Sequence, residues 1–386
     1  MPLSAVHIEN YRSVRHLWLP VEQLTIFVGA NGVGKTNLYK ALALLRAAAE
    51  GNITRAIAEE GGLESVLWAG RRRHGKPMRL VLKAQFDELE YGLEIGLPHS
   101  YEIELGLSQP TEAAFGLEPL VKTERVVVRH GRRDAVMMER KGPMVMLRND
   151  NGERETHKSA VLASETALAS FRDAARYPEL EAIRREMLEW RLYHDFRTDA
   201  ASLIRQPCHA ITTPTLSADG RDLAAVLATL SVIRQDTTDL DAAIDDAFPR
   251  ARLRAWAKGS WCRFSLTFPD MPRPFQAHEL SDGTLKYLCL LGALMGYRLP
   301  PLIALNEPEA SLHPSLLAPL ARLIARAAGR ARIWIVTHSE DLARHLQEET
   351  GKQARRVIKS TGATGIEGLK LSGEYTDDEE EEGEEE

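Results

Sequence analysis

The chain has 386 residues, of which 44% are hydrophobic and 27% charged, so it is long enough for a large core and for more than one domain. No apolar stretch is long enough to cross a bilayer and the first residues lack a signal-peptide pattern, which predicts a cytoplasmic protein without a membrane partner. The cysteines Cys208, Cys262 and Cys289 are spaced too widely for a metal knuckle and are too few for a disulfide framework.

The net charge of −6 is unevenly distributed along the chain. The last ten residues, 377–386, contribute nine acidic groups and no basic one, so the rest of the chain carries a net charge of +3. A self-repelling acidic run cannot bury enough apolar surface to fold, which predicts a disordered tail over 374–386. Two roles remain open for it: solubility, or mimicry of nucleic acid that covers a basic surface of this chain or of a partner.

The first motif in chain order is Gly-Ala-Asn-Gly-Val-Gly-Lys-Thr at 29–36, a complete G-x-x-x-x-G-K-[ST] phosphate loop. The apolar run 24–28 before it predicts a buried strand, and 37–45 after it predicts a helix. In such a turn, backbone N–H groups and the helix N-terminus bind phosphates, Lys35 reaches the β- and γ-phosphates, and the Thr36 hydroxyl ligates Mg²⁺. The predicted nucleotide contacts are Asn31, Gly32, Val33, Gly34, Lys35, Thr36 and Asn37.

The rest of the chain divides by its hydrophobic patterns. Alternating runs over 78–147 predict antiparallel strands in a strand-rich lobe, and helical spacing over 159–196 and 222–248 predicts an inserted helical lobe. From residue 252 onward strands and helices alternate, which predicts a mostly parallel core sheet of the α/β class. The predicted divisions are 1–158 and 251–373 for the two parts of the main domain, 159–250 for the helical lobe and 374–386 for the tail.

A second group of polar residues follows the apolar strand predicted at 302–305. Ligands collect at the carboxyl ends of parallel strands, and Glu307 stands where a base for an attacking water would be, although a surface glutamate is the alternative. Asn306 occupies the position at which an aspartate usually supports Mg²⁺. It offers a carbonyl oxygen without a charge and can still act through water.

Two further short segments complete this group. Ser281 and Gly283 lie in a polar loop just before an apolar helix, which predicts either an anion site at the helix N-terminus or a simple N-cap. His338 follows the strand predicted at 333–336 and can donate a hydrogen bond to a γ-phosphate, although a lone histidine after a strand often has no such role.

In this order and spacing the motifs resemble those of the ABC-type ATPases of the SMC/RecF group, in particular stand-alone AAA-family ATPases related to the OLD ATPase module. The segment 29–36 corresponds to Walker A, 280–284 to the signature and 306–309 to Walker B, followed by 310–314 and the switch histidine His338. The opening segment, 8–14, is also similar to that of the family, which implies that Arg12 and Ser13 lie near the nucleotide. Gln85 is a candidate for the Mg²⁺-sensing glutamine.

The resemblance implies a P-loop NTPase fold, the ABC-type ATPase head, with ATP and Mg²⁺ as ligands and a homodimer formed through ATP. The phosphate loop of one subunit would be completed by Ser281 and Gly283 of another, so that ATP holds two heads together. Hydrolysis through Glu307, with Lys35 and His338 as the other catalytic residues, would release them. Thr36 and Asn306 are the implied metal ligands.

Relatives in this group act on DNA in repair, chromosome maintenance or phage defence, so the resemblance also implies DNA and an effector protein as partners. The basic run 71–74 and a basic and aromatic group could grip phosphates and stack on bases, or that group could instead belong to an amphipathic helix packed on its core. The group comprises Arg184, Arg185, Trp190, Arg191, Tyr193, His194, Phe196 and Arg197. The alternative function is an ATP-dependent protein-assembly switch with slow turnover, because Asn306 weakens metal binding.

Overall fold

The computed structural model describes residues 3–70, 78–91, 94–107, 117–131, 133–159, 161–233 and 237–376. The acidic run 377–386 and the basic run 71–74 lie outside the described residues. The chain forms two compact units. The first comprises Met1–Glu22, Gly29–Trp190 and Arg355–Glu386, and the second comprises Gln23–Val28 and Arg191–Ala354.

Strands account for much of both units. In chain order they are β1 (Leu3–Tyr11), β2 (Val14–Pro20), β3 (Leu24–Val28), β4 (Leu80–Tyr91), β5 (Glu94–Gly106), β6 (Leu120–His130), β7 (Arg133–Lys141), β8 (Met144–Arg148), β9 (Arg154–Lys158), β10 (Arg191–Tyr193), β11 (Cys208–His209), β12 (Arg252–Lys258), β13 (Trp261–Thr267), β14 (Phe275–Gln276), β15 (Leu302–Asn306), β16 (Arg332–Thr337), β17 (Arg355–Ser360) and β18 (Ala363–Ile366).

Helices connect many of these strands. The α-helices are α1 (Lys35–Glu50), α2 (Ile53–Glu59), α3 (Leu63–Val66), α4 (Ala167–Ser170), α5 (Pro178–Glu189), α6 (Leu223–Ile233), α7 (Thr238–Ala247), α8 (Asp282–Met295), α9 (Leu317–Ala328) and α10 (Glu340–Thr350). Short 3-10 turns occur at Leu203–Arg205, Ala277–Glu279 and Pro314–Leu316. No helix within the described ranges combines the length and apolarity needed to cross a membrane.

The first unit is built on an eight-stranded antiparallel sheet in the order β2-β1-β4-β5-β6-β7-β8-β9. Helix α1 buries Leu38, Leu42 and Leu45, which recur at helical spacing along one of its faces. The antiparallel strands expected over 78–147 are confirmed. Strands β17 and β18 of this unit pair as an antiparallel hairpin.

The second unit contains four parallel strands in the order β10-β15-β16-β3. Every residue of β15 and of β3 is buried, as expected for strands of a parallel sheet covered on both faces. Register places Asn306 opposite Val336 and Thr337 opposite Val28, so β15, β16 and β3 end at one edge. A smaller antiparallel sheet, β11-β13-β12 with β14 beside β13, completes the unit.

Two expectations about the architecture need correction. The expected mostly parallel core sheet holds only for the strands of the second unit, because the largest sheet, β2-β1-β4-β5-β6-β7-β8-β9, pairs antiparallel throughout. The stretch 159–250, expected to form an inserted helical lobe, is divided between the two units after Trp190. It also supplies β10 to the parallel sheet, so it is not purely helical.

The aromatic members of the basic and aromatic group within that stretch pack inward. Trp190, Tyr193 and Phe196 are buried, and Tyr193 donates from its hydroxyl to the carbonyl oxygen of Leu216 at 2.9 Å. Arg184 and Arg197 pair with the carboxylates of Glu181 and Asp199. The core-packing alternative therefore describes the aromatic members of this group, whose rings are not available for stacking on bases.

Candidate functional site

The phosphate loop begins where β3 ends, since Val28 is followed directly by Gly29. Gly32 has φ of 81° and Gly34 has φ of 99°, conformations that L side chains rarely adopt. A side chain at Gly34 would also collide with the hydroxyl oxygens of Thr364 and Ser13, at 2.1 and 2.4 Å from an added Cβ. Glycine is therefore required here both by conformation and by space.

Lys35 opens α1 and is only 4% exposed. Its Nζ donates hydrogen bonds to the carbonyl oxygens of Gly29 at 2.5 Å and Ala30 at 2.7 Å, so the ammonium lies within the curve of the loop. Thr36 and Asn37 follow in the first turn of the helix, both half-buried, and Asn31 and Gly32 are exposed.

A chain of four polar groups fixes the far side of the loop. Asn37 Nδ2 donates to Ser13 Oγ at 2.8 Å, and Ser13 Oγ is 2.7 Å from Thr364 Oγ1. Thr364 Oγ1 in turn donates to the carbonyl oxygen of Val33 at 2.7 Å. Since the single Thr364 hydroxyl proton is used there, Ser13 must be the donor to Thr364. Ser13, expected near the nucleotide, thus contacts the loop through its hydroxyl.

We expect Thr364→Val to destabilise the first unit and weaken nucleotide binding, whereas Thr364→Ser retains both. Valine keeps the shape but leaves the Val33 carbonyl oxygen without its donor and the Ser13 hydroxyl proton without its acceptor at a buried position, at a cost of about 1–3 kcal/mol. Urea unfolding and titration with a fluorescent ATP analogue measure the two effects. Equal behaviour of the valine and serine variants would contradict this role of the hydroxyl.

Arg12, also expected near the nucleotide, is engaged with a carboxylate. Its Nε and Nη2 donate to Glu60 Oε2 at 3.0 and 2.6 Å, and Tyr11 donates to the same oxygen at 2.9 Å. Lys40 of α1 lies 3.5 Å from Glu60 Oε1. This cluster links the turn after β1 to α1, and a direct contact of Arg12 with nucleotide stays a prediction. Gln85 lies in β4, opposite Ser100 of β5.

Asn306 ends β15 and is 3% exposed. Its Nδ2 lies 2.9 Å from His194 Nδ1, so His194 accepts the hydrogen bond and carries its own proton on Nε2. Among the described residues, Asn306 Oδ1 is buried without a hydrogen-bond partner. A buried amide oxygen left open in this way fits the hard oxygen ligand that Mg²⁺ prefers.

Glu307 and His338 lie together at the edge where β15 and β16 end. Glu307 has φ of +50°, an uncommon conformation for a residue with a side chain, and its N–H donates to the Val336 carbonyl oxygen at 2.7 Å. His338 Nδ1 lies 4.0 Å from Glu307 Oε2 and 3.2 Å from Glu309 Oε1. Both Glu307 and His338 are partly exposed, as residues that meet a ligand must be.

Glu309 is the buried member of this carboxylate pair. Its Oε1 accepts hydrogen bonds from Thr337 Oγ1 at 2.5 Å and from the His338 N–H at 3.1 Å. These contacts position the His338 ring from both its backbone and its side chain. If Nδ1 donates to Glu309, the ring must carry both protons in order to donate from Nε2 to a phosphate.

The signature-like loop forms an N-cap, as one of its two interpretations predicts. Ser281 precedes α8 and its Oγ accepts a hydrogen bond from the Thr284 N–H at 3.2 Å. Ser281, Gly283 and Thr284 line one cleft together with Ser311 and His313. A side chain at Gly283 would approach the Ser311 carbonyl oxygen to 3.0 Å.

The sequence reasoning missed Arg205, which holds this loop in place. Arg205 donates to Asp282 Oδ1 at 2.7 Å and to the carbonyl oxygens of Leu280 at 2.8 Å and His278 at 3.1 Å. Its side chain is mostly buried although Asp282 is exposed. No local pattern around Arg205 predicts this, because its partners lie more than 70 positions away.

Lys286 was also missed, although a lysine inside the apolar run of α8 is a usable signal. It is buried, and its Nζ lies 4.0 Å from Asp195 Oδ1. Burial lowers the pKa of Lys286, and the carboxylates of Asp195, Glu309 and Glu307 act in the opposite direction. The Lys286 ammonium of α8, the helix that follows the signature-like loop, is thereby coupled electrostatically to the carboxylates that follow β15.

Solved structures of SMC head domains share the fold of this chain. One is a crystal structure of an SmcHead bound to the C-winged helix domain of ScpA, 12% identical, with a TM-score of 0.53 over 95% of this chain and 97% of that chain. Another is an Smc head domain with an extended coiled coil, bound to the C-terminal domain of ScpA derived from Pyrococcus furiosus. It is 12% identical, with a TM-score of 0.52 over 100% of both chains. The expected resemblance to the SMC group is thus confirmed at the level of the fold.

A search of curated proteins found no match. Two family models match the sequence: the model "AAA ATPase domain" over residues 1–91 and the model "AAA domain, putative AbiEii toxin, Type IV TA system" over residues 128–343. The second match spans more than half of the chain. The protein therefore belongs to the AAA-domain family that carries this second description.

Proposed function

We propose that this protein binds and hydrolyses ATP with Mg²⁺ and that ATP joins two copies of it. The observation that carries the proposal is the phosphate loop itself, with two glycines at positive φ and the buried Lys35 ammonium held within the loop. Membership of an AAA-domain family and the SMC-head fold support a nucleotide-dependent role. From the resemblance of its motifs to those of the SMC/RecF group, we also infer a DNA-related process, with an effector protein as a further partner.

In this proposal the loop N–H groups, Lys35 and the N-terminus of α1 bind the phosphates. Glu307 accepts the proton of the attacking water, and His338, positioned by Glu309, donates to the γ-phosphate. Thr36 and Asn306 would hold Mg²⁺, which when bound neutralises developing charge on the phosphate oxygens. Arg12 and Asn37 keep their proposed places beside the nucleotide.

The dimer follows from the signature loop. Ser281 and Gly283 line a cleft at the N-terminus of α8, where a phosphate brought by a second copy would meet the Ser281 hydroxyl. We infer that they contact the γ-phosphate held by the other copy. Hydrolysis would then separate the copies, which makes the contact a two-state switch.

Steady-state ATP hydrolysis by the full chain, measured with and without DNA, tests this function. The variant Lys35→Ala serves as the negative control and is called the blank. We expect Mg²⁺-dependent turnover that the blank lacks, and a change of rate when DNA is added. Turnover that the blank retains would overturn the ATPase assignment. Turnover that is lost in the blank but indifferent to DNA would favour the second candidate, an ATP-dependent protein-assembly switch.

That second candidate is favoured by one observation, the amide at position 306. We expect slow basal turnover in the wild type, and in Asn306→Asp a higher rate with a lower Mg²⁺ requirement. The added negative charge at the open Oδ1 position tightens the metal, although it also removes the donor to His194 and repels Glu307.

Magnesium titration decides between these effects of Asn306→Asp, with both nucleotide binding and hydrolysis as readouts. A shift of both curves to lower Mg²⁺ concentration in the aspartate variant supports the hypothesis that Asn306 restrains hydrolysis. Superimposable curves, or a slower aspartate variant at saturating metal, would contradict it.

A further inference from the structure

The hairpin of β12 and β13 has two chemically different faces. Along β12 the residues alternate, and Leu253 and Ala255 pack on the core of the second unit together with Cys262, Phe264 and Leu266 of β13. The opposite face carries basic and aromatic side chains. Register also places Ser265, which is buried, and Thr267 on this side. The basic and aromatic residues there, which we call the basic aromatic face, are Arg252, Arg254, Trp256, Lys258, Trp261, Arg263 and, on β11, His209.

Register brings these side chains together. Trp256 lies opposite Arg263, and Lys258 lies opposite Trp261, so each tryptophan has a cation as its cross-strand neighbour. The Arg254 guanidinium lies 5.8 Å from the centroid of the Trp256 ring. The face therefore combines aromatic rings and positive charges, which alternate with each other on one hairpin.

No carboxylate among the described residues pairs with the charges on this face. Across the described part of the chain, no ion pair involves Arg252, Arg254, Lys258 or Arg263, and all four are exposed. None of the residues that register places on the face is acidic. Other described arginines, such as Arg322 and Arg344, do pair with carboxylates.

The aromatic rings on this face are accessible as well. Trp261 is 46% exposed although tryptophan is usually well buried, and Trp256 is partly exposed. The His209 ring stacks on Trp261, with centroids 5.0 Å apart and an interplanar angle of 20°. Stacking from one side steadies the indole and leaves its other side for a ligand.

We propose that the basic aromatic face binds single-stranded nucleic acid. Unpaired bases stack on tryptophan rings irrespective of sequence, and the interleaved cations contact the backbone phosphates. A duplex keeps its bases stacked on each other, so it could use the cations but not the rings. An acidic peptide would likewise satisfy the charges and leave two exposed tryptophans unexplained.

This inference names the partner for the DNA-related role proposed above, but it does not require ATP turnover. The test is fluorescence polarisation of the full chain with a labelled oligothymidylate of about 16 nucleotides, against a duplex of the same length, in the absence of ATP. We expect tighter binding of the single strand. Lys35→Ala should bind it equally well, so that a failure of ATP binding and a failure of this inference are distinguishable.

Substitutions on the face separate stacking from charge. We expect Trp261→Ala to weaken binding about tenfold, or about 1.4 kcal/mol, and Trp261→Phe to retain most of the affinity. Lys258→Gln should lower the dependence of log affinity on log salt concentration by about 0.7. Lys158→Gln, an exposed lysine on β9, is the matched control and should change nothing.

Three outcomes would overturn the proposal. The first is that the chain does not bind the single strand. The second is that it binds the duplex with equal affinity and that Trp261→Ala leaves the affinity for the single strand unchanged. The third is that Lys158→Gln and Lys258→Gln weaken binding of the single strand equally. The second outcome would indicate a purely electrostatic surface for another partner.

Discussion

Replacing Lys35 with alanine abolishes Mg²⁺-ATP binding, with a loss of affinity on the order of a hundredfold to ten-thousandfold. The ammonium lies inside the loop, and its removal deletes charge-assisted contacts to two phosphates, each worth about 1.5–3 kcal/mol. Isothermal titration of the purified chain with ATP measures the effect. Urea unfolding in parallel shows that the variant remains folded.

Lys40→Ala is the matched control for this experiment. Lys40 lies on the same helix, α1, and faces Glu60 rather than the loop, so its removal should leave ATP affinity nearly unchanged. Binding at wild-type affinity in Lys35→Ala, or an equal loss in both variants, would remove the phosphate-loop assignment.

Replacing Glu307 with glutamine retains ATP binding and traps a dimer. The amide keeps the size and shape of the side chain but cannot accept a proton from water, so ATP persists between the two copies. We expect turnover to fall by roughly 10²–10⁴, the usual contribution of a general base. Size-exclusion chromatography of the variant with ATP should show a species of twice the monomer mass.

Two second-site variants test where that dimer forms. In the Glu307→Gln background, Ser281→Arg should prevent the dimer by bulk and charge, whereas Ser281→Ala should permit it. Both substitutions remove the N-cap of α8, and losing this cap costs about 1 kcal/mol of stability in each variant. The two variants therefore differ only in the bulk and charge of the new side chain. A mass that ignores ATP in every variant would show that the signature loop does not act across subunits.

The elements whose information is local were predicted well from the sequence. The glycines at 32 and 34, the lysine after them and the apolar spacing of the following residues predict a strand-loop-helix turn, and α1 does begin at Lys35. The strands predicted at 302–305 and 333–336 end only one residue short of the observed ends at Asn306 and Thr337, because a buried run that stops at polar residues is a local signal.

Contacts between distant segments were not predictable in the same way. Thr364 donates a hydrogen bond to the carbonyl oxygen of Val33 in the loop, 331 positions earlier. No local sequence pattern indicates that a threonine in a short strand makes such a contact. Nothing in the sequence distinguishes Arg205 from the other arginines, and only the folded structure places it beside Asp282. In both cases tertiary packing selects the partner after the local elements have formed.

The aromatic and basic residues show how composition alone can mislead. The group around Trp190 and Tyr193 is conspicuous in the sequence, yet these rings complete hydrophobic cores. The strand Arg252–Lys258 is less dense in aromatics, but its strict alternation separates Arg254 and Trp256 from the apolar residues. Periodicity, which assigns a face, is therefore a better guide to a binding surface than local density.

The most direct test of the ATP-driven switch is the molar mass of the wild-type chain, measured by light scattering while its ATP is consumed. The chain has a mass of 43.0 kDa, and we predict this value without nucleotide, twice this value with Mg²⁺-ATP, and a return to the monomer as ATP is exhausted. A mass that is independent of ATP throughout, at a protein concentration where ATP is bound and hydrolysed, would contradict the account.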